Sequence, residues 1–485
     1  TARGRGFEVL ALESRDFPYI SWYRDDFSDR PLTGVMRALQ PNVTLEPVAI
    51  PEGATAIGIW SKPEALYPNI SLWMVIQDSR GILVTFSLGT LDDPHNPLVP
   101  RYGRFDAAHP EWRLIRADLP SRLVPPLELV SVQLSEPGFG HSGTPGAVLL
   151  DDIHVTIGPD GEQYSLEDFE GRIEWTSLAT SMISSDSIAP TAQDVYEGDR
   201  AVLFSFGKDT DRGIRGFYRS PDGGAVPIVA SSSFVESIGA TVGDALTVNI
   251  MGRLIPVVIR DTVDYFPTLN PHGTGFVLAD LDGLLRHINM VSPLYAETAN
   301  EIFIAEAPGA GESVREAVSS LTRSTLEIHD KDSLLESVRL DPLVTAGWRA
   351  MVLLSLAIIV FTAGLGYVTY LLTFAANRRS EMGFLQSLGL SGRQMSGLLA
   401  LEHLVIVVIG LGLGSWAGLE MSRRMVSSVA VTEKGAAVVP PFILMTDWSF
   451  LLPIYGALIA LFLVALYGLN RSMGNLDMHT VSRLE

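Results

Sequence analysis

Residues 378–395 read RRSEMGFLQSLGLSGRQM and separate the first two of three long apolar stretches near the end of this 485-residue chain. The first stretch, residues 350–377, carries no charge and is longer than the ~20 residues that an α-helix needs to cross a bilayer core. The third, residues 448–470, is also uncharged, and the second, residues 394–419, is apolar apart from one carboxylate and one histidine. We therefore predict three transmembrane helices, at residues 346–377, 395–420 and 448–470.

Basic residues set the orientation of these helices, because short cytoplasmic loops carry an excess of lysine and arginine. The segment after the first helix contains three arginines and the tail contains two. We therefore predict that this segment, residues 378–394, and the tail, residues 471–485, are cytoplasmic. The outer loop, residues 421–447, holds three basic residues against this bias, but the large acidic N-terminal region agrees with export.

The start of the chain bears on how this region is exported. No secretory signal is visible, and the chain begins with Thr1. A large exported region needs a segment that carries it across, so we expect a transmembrane segment upstream of residues 1–32, which begin the extracytoplasmic part. The pattern predicts a multi-pass protein of the cell (plasma or inner) membrane, in contact with the lipid bilayer.

Composition separates classes of partner and chemistry. The formal net charge is -20, which argues against nucleic acid as a partner. The chain has no cysteine, so thiol catalysis and thiolate metal sites are excluded, and stability outside the cell must come from packed cores. The region before the membrane is long enough for two or three domains.

The first part of this region has the texture of a β-sandwich. Between residues 33 and 157, short apolar runs alternate with clusters of Pro, Gly, Asp and Asn, as expected for strands joined by turns. The series ends in Leu150-Asp151-Asp152-Ile153-His154-Val155. This pattern resembles the carbohydrate-binding-module and galactose-binding-like jelly rolls, in which a last strand of the form LDDIxV is common. Residues 158–224 are also strand-rich and could begin another sandwich or complete the first.

The second part reads as an α+β domain at residues 225–345. The apolar run at 228–234 leads to a short helix, paired strands follow near 242–248 and 255–259, and two helical segments come after them near 281–288 and 313–323. It leads straight to the first membrane helix, so movement in the membrane could be passed to it directly.

The order of these features resembles the FtsX-like permeases of ABC transporters, the class that includes MacB-type and LolC/LolE-type subunits. The resemblance rests on a VASSSF and IGATVGDALTV segment at 229–248, the RRSEMGFLQSLGLSGRQ segment at 378–394, and the pattern of spans. Ser387 departs from the small or basic residue often seen before the Leu-Gly pair. The resemblance implies mechanotransmission: separate cytoplasmic ATPase subunits move the helices of two permeases, in a homo- or heterodimer, and the outer domain acts on a substrate or an envelope protein.

The cytoplasmic segment has properties that fit contact with an ATPase. Glu381, Leu385 and Leu388 follow helical i, i+4 and i+7 spacing and give one mixed face able to lie in a groove of a partner. The arginines can meet phosphate head groups or acidic residues, although a plain basic membrane loop would show the same charges. The residues assigned to ATPase coupling are Arg378, Arg379, Glu381, Leu385, Leu388, Gly389 and Arg393.

The second span carries an intramembrane carboxylate and a glycine ridge. Glu402 needs a partner at this depth, and we expect it to anchor the helix against Arg393 or Arg349, or to cap backbone groups of the coupling segment. Gly410, Gly414 and Gly418 form a small-xxx-small ridge that favours close helix packing and is a candidate dimer seam.

Catalytic and cofactor motifs are weak throughout. The sequence has no G-x-x-x-x-G-K-[ST] loop, so ATP has to be bound by a partner, and we assign no cofactor and no catalytic residue. Gly140-His141-Ser142-Gly143 and His272-Gly273-Thr274-Gly275 read as turns. Asp151 and Asp152 could bind Ca²⁺ but more often cap a strand end, so we assign no metal site.

These observations favour a multidomain membrane protein with an extracytoplasmic jelly-roll-like β-sandwich, an α+β domain and three transmembrane helices. We expect a permease subunit and not an enzyme. The alternatives are a membrane-anchored glycan-binding or adhesion protein, which would need only one span, and an envelope hydrolase, which needs a catalytic constellation that the sequence does not show. A glycan or an envelope protein is thus a further candidate partner.

Overall fold

A computed structural model of the chain describes all residues except 43–44, 68–69, 92–103, 106–107, 136–144, 159–160, 179–184, 208–213, 221–223, 272, 292–295, 308, 322–327, 334–341, 379–380, 382–383, 386, 430–437 and 475–485. It contains two compact units, Thr1–Ala305 and Glu306–Glu485.

The elements of the described residues follow in chain order. The strands are β1 (Glu8–Leu12), β2 (Val48–Ile50), β3 (Ala54–Pro63), β4 (Ser71–Gln77), β5 (Leu83–Thr90), β6 (Arg104–Phe105), β7 (Arg113–Asp118), β8 (Leu127–Ser135), β9 (Gly146–Ile157), β10 (Glu162–Glu167), β11 (Trp175–Ser177), β12 (Ser187–Thr191), β13 (Ala201–Phe206), β14 (Arg215–Arg219), β15 (Val226–Ser231), β16 (Ala245–Ile250), β17 (Arg253–Val263) and β18 (Phe276–Asp280). The helices are α1 (Phe17–Ile20), α2 (Leu32–Ala38), α3 (Ser232–Ile238), α4 (Leu281–Met290), α5 (Gly311–Leu321), α6 (Pro342–Asn377), α7 (Gly392–Val429) and α8 (Trp448–Gly474).

One part of the first unit is a mixed five-stranded sheet in the order β1-β18-β15-β17-β16, which we call the sheet domain together with α1–α4. Every residue of β15 is buried, because helices cover both faces of the sheet. Alternate residues of β15 enter different cores: Ile228 and Ala230 pack with α3 and α4, and Val229 packs with α2. The sheet domain contains the strands, the short helix and the first of the two further helical segments of the α+β domain predicted at residues 225–345, whereas the second of those segments is α5 of the second unit.

A serine N-cap and a C-terminal glycine define the two ends of α3 in this domain. The hydroxyl of Ser231 accepts a hydrogen bond from the backbone N–H of Phe234, which makes Ser231 the N-cap. Gly239 follows the last turn with a φ of 61°, the left-handed conformation that favours glycine. The VASSSF and IGATVGD segments are thus the start and stop signals of one helix.

The other part of the first unit is the predicted β-sandwich. One sheet has the order β12-β13-β9-β3-β7-β6 with β10 beside β9, and the other has the order β11-β14-β8-β4-β5 with β2 beside β8. The inner faces enclose a core that includes Ile57, Leu72, Val132 and Phe204. Because β13 pairs with β9 and β14 pairs with β8, residues 158–224 complete the first sandwich and do not begin a second.

The division of the first unit differs from the predicted one. Residues assigned to the start of the chain, 1–32, belong to the sheet domain, since β1 pairs in parallel with β18. Helix α2, which falls inside the predicted sandwich range of 33–157, packs its Val35 and Met36 in the same core as Leu278 of β18. The sandwich is therefore inserted into the sheet domain between α2 and β15.

The second unit holds three helices that are long and apolar enough to cross a membrane, as predicted. Their candidate spans are Ala346–Phe374 in α6, Gly397–Val426 in α7 and Leu451–Gly468 in α8. Helix α7 continues past the predicted end at residue 420, and Glu420 pairs there with Arg424 at 2.7 Å.

Candidate coupling site

A sharp elbow connects the cytoplasmic segment to α7. Residues 381, 384, 385 and 387 are helical, and the backbone N–H of Leu388 donates to the carbonyl of Phe384 at 3.2 Å. The helix ends at Gly389, whose φ is 95°, and the N–H of Leu390 donates to the carbonyl of Leu385 at 3.3 Å. This is a Schellman stop, in which a glycine adopts the left-handed conformation just beyond the helix.

Helix α7 then starts at once through a capping box. The N–H of Gln394 donates to the hydroxyl of Ser391 at 3.4 Å, and the Gln394 side chain accepts from the Ser391 N–H at 3.0 Å. The Leu-Gly-Leu-Ser-Gly-Arg-Gln sequence is therefore one helix stop followed by one helix start. Only Gly389 and Leu390 lie between Leu388, at the end of the short helix, and the N-cap of α7, Ser391.

The short helix has an inner and an outer side. Leu385 packs against Met395 and Leu399 of α7, and Phe374 of α6 packs against the same two residues. Phe384 is 64% exposed and Leu388 is 65% exposed. The exposed side therefore presents an aromatic ring and a leucine, beside the exposed carboxylate of Glu381.

The predicted contact face needs correction in one member. Helical residues advance by about 100° each, so relative to Glu381 residue 385 lies at about +40°, 388 at about -20° and 384 at about -60°. Spacing places all of them on one broad face and cannot tell which edge meets the membrane helices. The structure turns Leu385 inward, and Phe384, which the sequence analysis missed, takes its place on the exposed face, which we call the coupling face (Glu381, Phe384 and Leu388).

Arg378 ties the coupling segment to α7. Its Nη1 lies 3.4 Å from Oε2 of Glu402, and its Nε lies 3.5 Å from Oε2 of Glu381. Its guanidinium also lies over the ring of Phe374, 4.7 Å from the centroid. Among the described side chains, Arg378 is thus the partner of Glu402, and the side chains of the predicted partners Arg393 and Arg349 lie outside the described part of the chain. The backbone of Arg393 belongs to the first turn of α7, and the predicted Arg379 lies outside the described residues.

A buried histidine lies beside this pair. His403 has no exposed surface, and its ring meets three rings of α6 edge-to-face: Phe374 at 5.0 Å, Tyr370 at 5.8 Å and Tyr367 at 6.2 Å. Among the described residues, neither ring nitrogen of His403 has a hydrogen-bond partner. We call these four rings the histidine cluster. The i, i+3, i+7 spacing of the three α6 rings, Tyr367, Tyr370 and Phe374, is the sequence signal that could have identified this cluster.

Contacts between the helices do not use the predicted glycine ridge. A Cβ added at Gly410, Gly414 or Gly418 would meet no atom within 4 Å, so these glycines face outward from this chain. A Cβ at Gly364 would instead lie 2.8 Å from Leu461, which marks the close approach of α6 and α8. The ridge remains a candidate seam for a second chain.

The acidic pair of the sandwich is held by protein donors. Oδ2 of Asp151 accepts the backbone N–H groups of Tyr196 at 2.9 Å and Glu197 at 3.2 Å. Asp152 pairs with Nδ1 of His154 at 2.9 Å. Burial raises the pKa of Asp151 to about 6, although its backbone donors favour the charged form. Both residues therefore fasten a loop and a strand bulge, and no group of three His, Asp or Glu side chains among the described residues could hold a metal.

One of the two predicted turns, residues 140–143 with His141 and Ser142, lies outside the described part of the chain. In the other, His272 also lies outside it, and Gly273 and Thr274 form a turn.

The sandwich is fastened to the sheet domain at a buried junction. Gln133 of β8 donates from Nε2 to the carbonyl of Met290 at the end of α4, at 3.0 Å. The ring of His287 meets the ring of Tyr218 edge-to-face at 5.5 Å. Burial lowers the pKa of His287 to about 4. We call this contact the domain junction.

Comparison with known proteins agrees with the membrane geometry. Residues 353–475 match the family model of the FtsX-like permease C-terminal domain, a range that includes the elbow, the Arg378–Glu402 pair and the histidine cluster. Comparison with curated proteins gives no match. Members of this family are membrane subunits that work with a cytoplasmic ATPase in ABC transporters. Residues 353–475 are therefore similar to the FtsX-like permease C-terminal domain, and the chain is a multi-pass membrane protein with a large β-rich extracytoplasmic region.

Proposed function

We propose that this chain is a permease subunit of the mechanotransmission type. A separate cytoplasmic ATPase binds the coupling face, and its ATP-driven motion passes through the elbow to the membrane helices and on to the extracytoplasmic unit. That unit extracts or exports a substrate, or actuates an envelope protein.

The coupling face is the observation that carries this proposal. Phe384 and Leu388 lie on the exposed side of the short helix, whereas Leu385 packs against α7 and fixes the orientation of that helix. Two large apolar side chains exposed beside a carboxylate fit the helix-in-groove mode of recognition. A plain basic loop does not require a Schellman stop and a capping box to orient those side chains.

Two sets of contacts within the second unit can transmit motion of the elbow to the membrane helices. Gly389 and Leu390 link the short helix to α7, and the histidine cluster and the Arg378–Glu402 pair link α7 to α6. Helix α8 joins the bundle through a hydrogen bond between the hydroxyls of Ser415 and Tyr455 at 2.6 Å. The outward-facing ridge of glycines on α7 is the surface that we assign to a second permease.

The proposal is tested on the full chain purified in mild detergent. We expect a Walker-motif ATPase to co-purify in stoichiometric amount, as judged by mass spectrometry. Fully burying a leucine or phenylalanine contributes ~1.5–3 kcal/mol, so Leu388→Asp or Phe384→Asp should weaken the complex by roughly tenfold or more. Leu385→Asp is a poor test, because it would disrupt the packing of the elbow itself.

A matched control is available in the first unit. Met251 is 65% exposed, like Leu388, and Met251→Asp places the same charge on an exposed apolar site of the other unit. We expect this variant to retain the ATPase. Absence of any ATPase from the wild-type preparation, or unchanged association in both coupling-face variants, would contradict the proposal.

A further inference from the structure

An apolar loop precedes the third membrane helix on its outer side. Residues 435–446 read GAAVVPPFILMT and contain no charge. In the described part of this loop, Phe442 is 62% exposed and Met445 is 87% exposed, and the side chains of Ile443 and Leu444 between them are exposed as well. Four consecutive large apolar side chains in water form an unfavourable surface that marks an interaction site.

Its position limits what can cover it. The carboxylate of Asp447 caps α8, because it accepts the backbone N–H of Ser449 at 3.0 Å. A carboxylate is costly inside the hydrocarbon, so Asp447 marks the level of the lipid head groups. Met445 lies three residues before Trp448 and can be at most about 10 Å from the first residue of the helix, and Phe442 can be at most about 20 Å away.

From this placement, we propose that residues 442–445 insert into the outer leaflet of the bilayer as an interfacial anchor. The apolar loop is continuous with a membrane-spanning helix, and only Thr446 and Asp447 intervene. Large apolar side chains next to a span are stabilised at the boundary between head groups and acyl chains. This anchor holds the outer end of α8 at a constant depth and does not depend on the ATPase.

The absence of cysteine allows a direct test in this 485-residue chain. Met445→Cys and Phe442→Cys are labelled with an NBD fluorophore, and the protein is reconstituted into vesicles of phosphatidylcholine and phosphatidylglycerol. Quenching is measured with nitroxide-bearing lipid and, separately, with iodide in the water. Val464→Cys, at an exposed site within the third span, is the lipid control, and Tyr164→Cys, at an exposed site on β10, is the water control.

We expect nitroxide lipid to quench both loop labels at least half as strongly as the label at Val464, with little effect of iodide. Iodide quenching equal to that at Tyr164 would overturn the proposal, because the loop would then lie in water. Protection from both quenchers would also overturn it, since a protein surface or a second copy of the chain would then cover the loop.

Discussion

The packing role of the histidine cluster can be tested without knowledge of the partner or the substrate. His403 is fully buried and contacts three aromatic rings of α6, yet its nitrogens find no partner among the described residues. If it serves as a packing ring, His403→Phe should preserve the link between α6 and α7, whereas His403→Ala should break it.

The expected sizes follow from these contacts. Each aromatic pair contributes ~0.5–1.5 kcal/mol, so loss of three pairs in His403→Ala should weaken local stability by about 1.5–4.5 kcal/mol. His403→Phe retains the pairs and removes two buried unpaired nitrogens, each of which costs about 1–3 kcal/mol. The phenylalanine variant should therefore be at least as stable as the wild type.

Hydrogen exchange read by mass spectrometry measures this local stability in lipid nanodiscs. We expect peptides from the cytoplasmic halves of α6 and α7 to exchange roughly 10- to 1,000-fold faster in His403→Ala, because each 1.4 kcal/mol is a factor of ten. They should exchange no faster in His403→Phe than in the wild type. Equally fast exchange in the two variants would refute the packing role and would show that a polar atom of His403 is needed.

Three further predictions concern the elbow, the ion pair and the domain junction. Gly389→Ala should open the short helix about tenfold more often, because a left-handed conformation costs a non-glycine residue about 1–2 kcal/mol. Gly283→Ala in α4 should instead slow exchange slightly, because alanine at an ordinary helical position stabilises by about 0.4–1 kcal/mol. Exchange of the peptides containing each site measures both. Arg378→Glu should speed hydrogen exchange of α7, and the charge swap that adds Glu402→Arg should restore the wild-type rate. Because both groups are partly exposed, we expect a coupling energy of about 0.5–1 kcal/mol in a double-mutant cycle. A coupling energy of zero would exclude a direct pair. The pKa of His287 is about 4 in the folded state against an ordinary 6.5, so the unfolded state binds the proton more strongly. Stability should therefore be lost as the pH falls from about 6.5 toward 4, by up to about 3 kcal/mol. His287→Phe should remove this acid sensitivity from the hydrogen exchange of α4, and an unchanged pH profile would contradict the prediction.

Local patterns predicted most elements of the fold, and they missed the insertion. The strands near 56–60, 70–76 and 127–134 and the three spans were readable, because each has a strong apolar run bounded by turn residues or charges. The role of β1 was not readable. Its five residues, Glu8–Leu12, pair with β18, and the whole sandwich lies between these two strands in the sequence. No local pattern indicates a partner at that separation.

The candidate site divides in the same way. The glycine at 389 and the Ser391–Gln394 box follow from backbone chemistry that sequence displays directly. The choice between Leu385 and Phe384 for the exposed face, and of Arg378 as the partner of Glu402, depends on how the short helix rotates against α6 and α7. That rotation is set by packing against Met395 and Leu399, which lie after the segment.

The insertion has a mechanical consequence for the proposed function. A domain at the end of a chain is connected by one linker. This sandwich has two covalent connections to the sheet domain, one after α2 and one before β15. The buried amide of Gln133 adds a third point of attachment at Met290, and the rings of Tyr218 and His287 pack beside it. Rotation of the sandwich would leave these buried polar groups without partners, and that outcome is costly. Motion that reaches the sheet domain should therefore carry the whole sandwich with it.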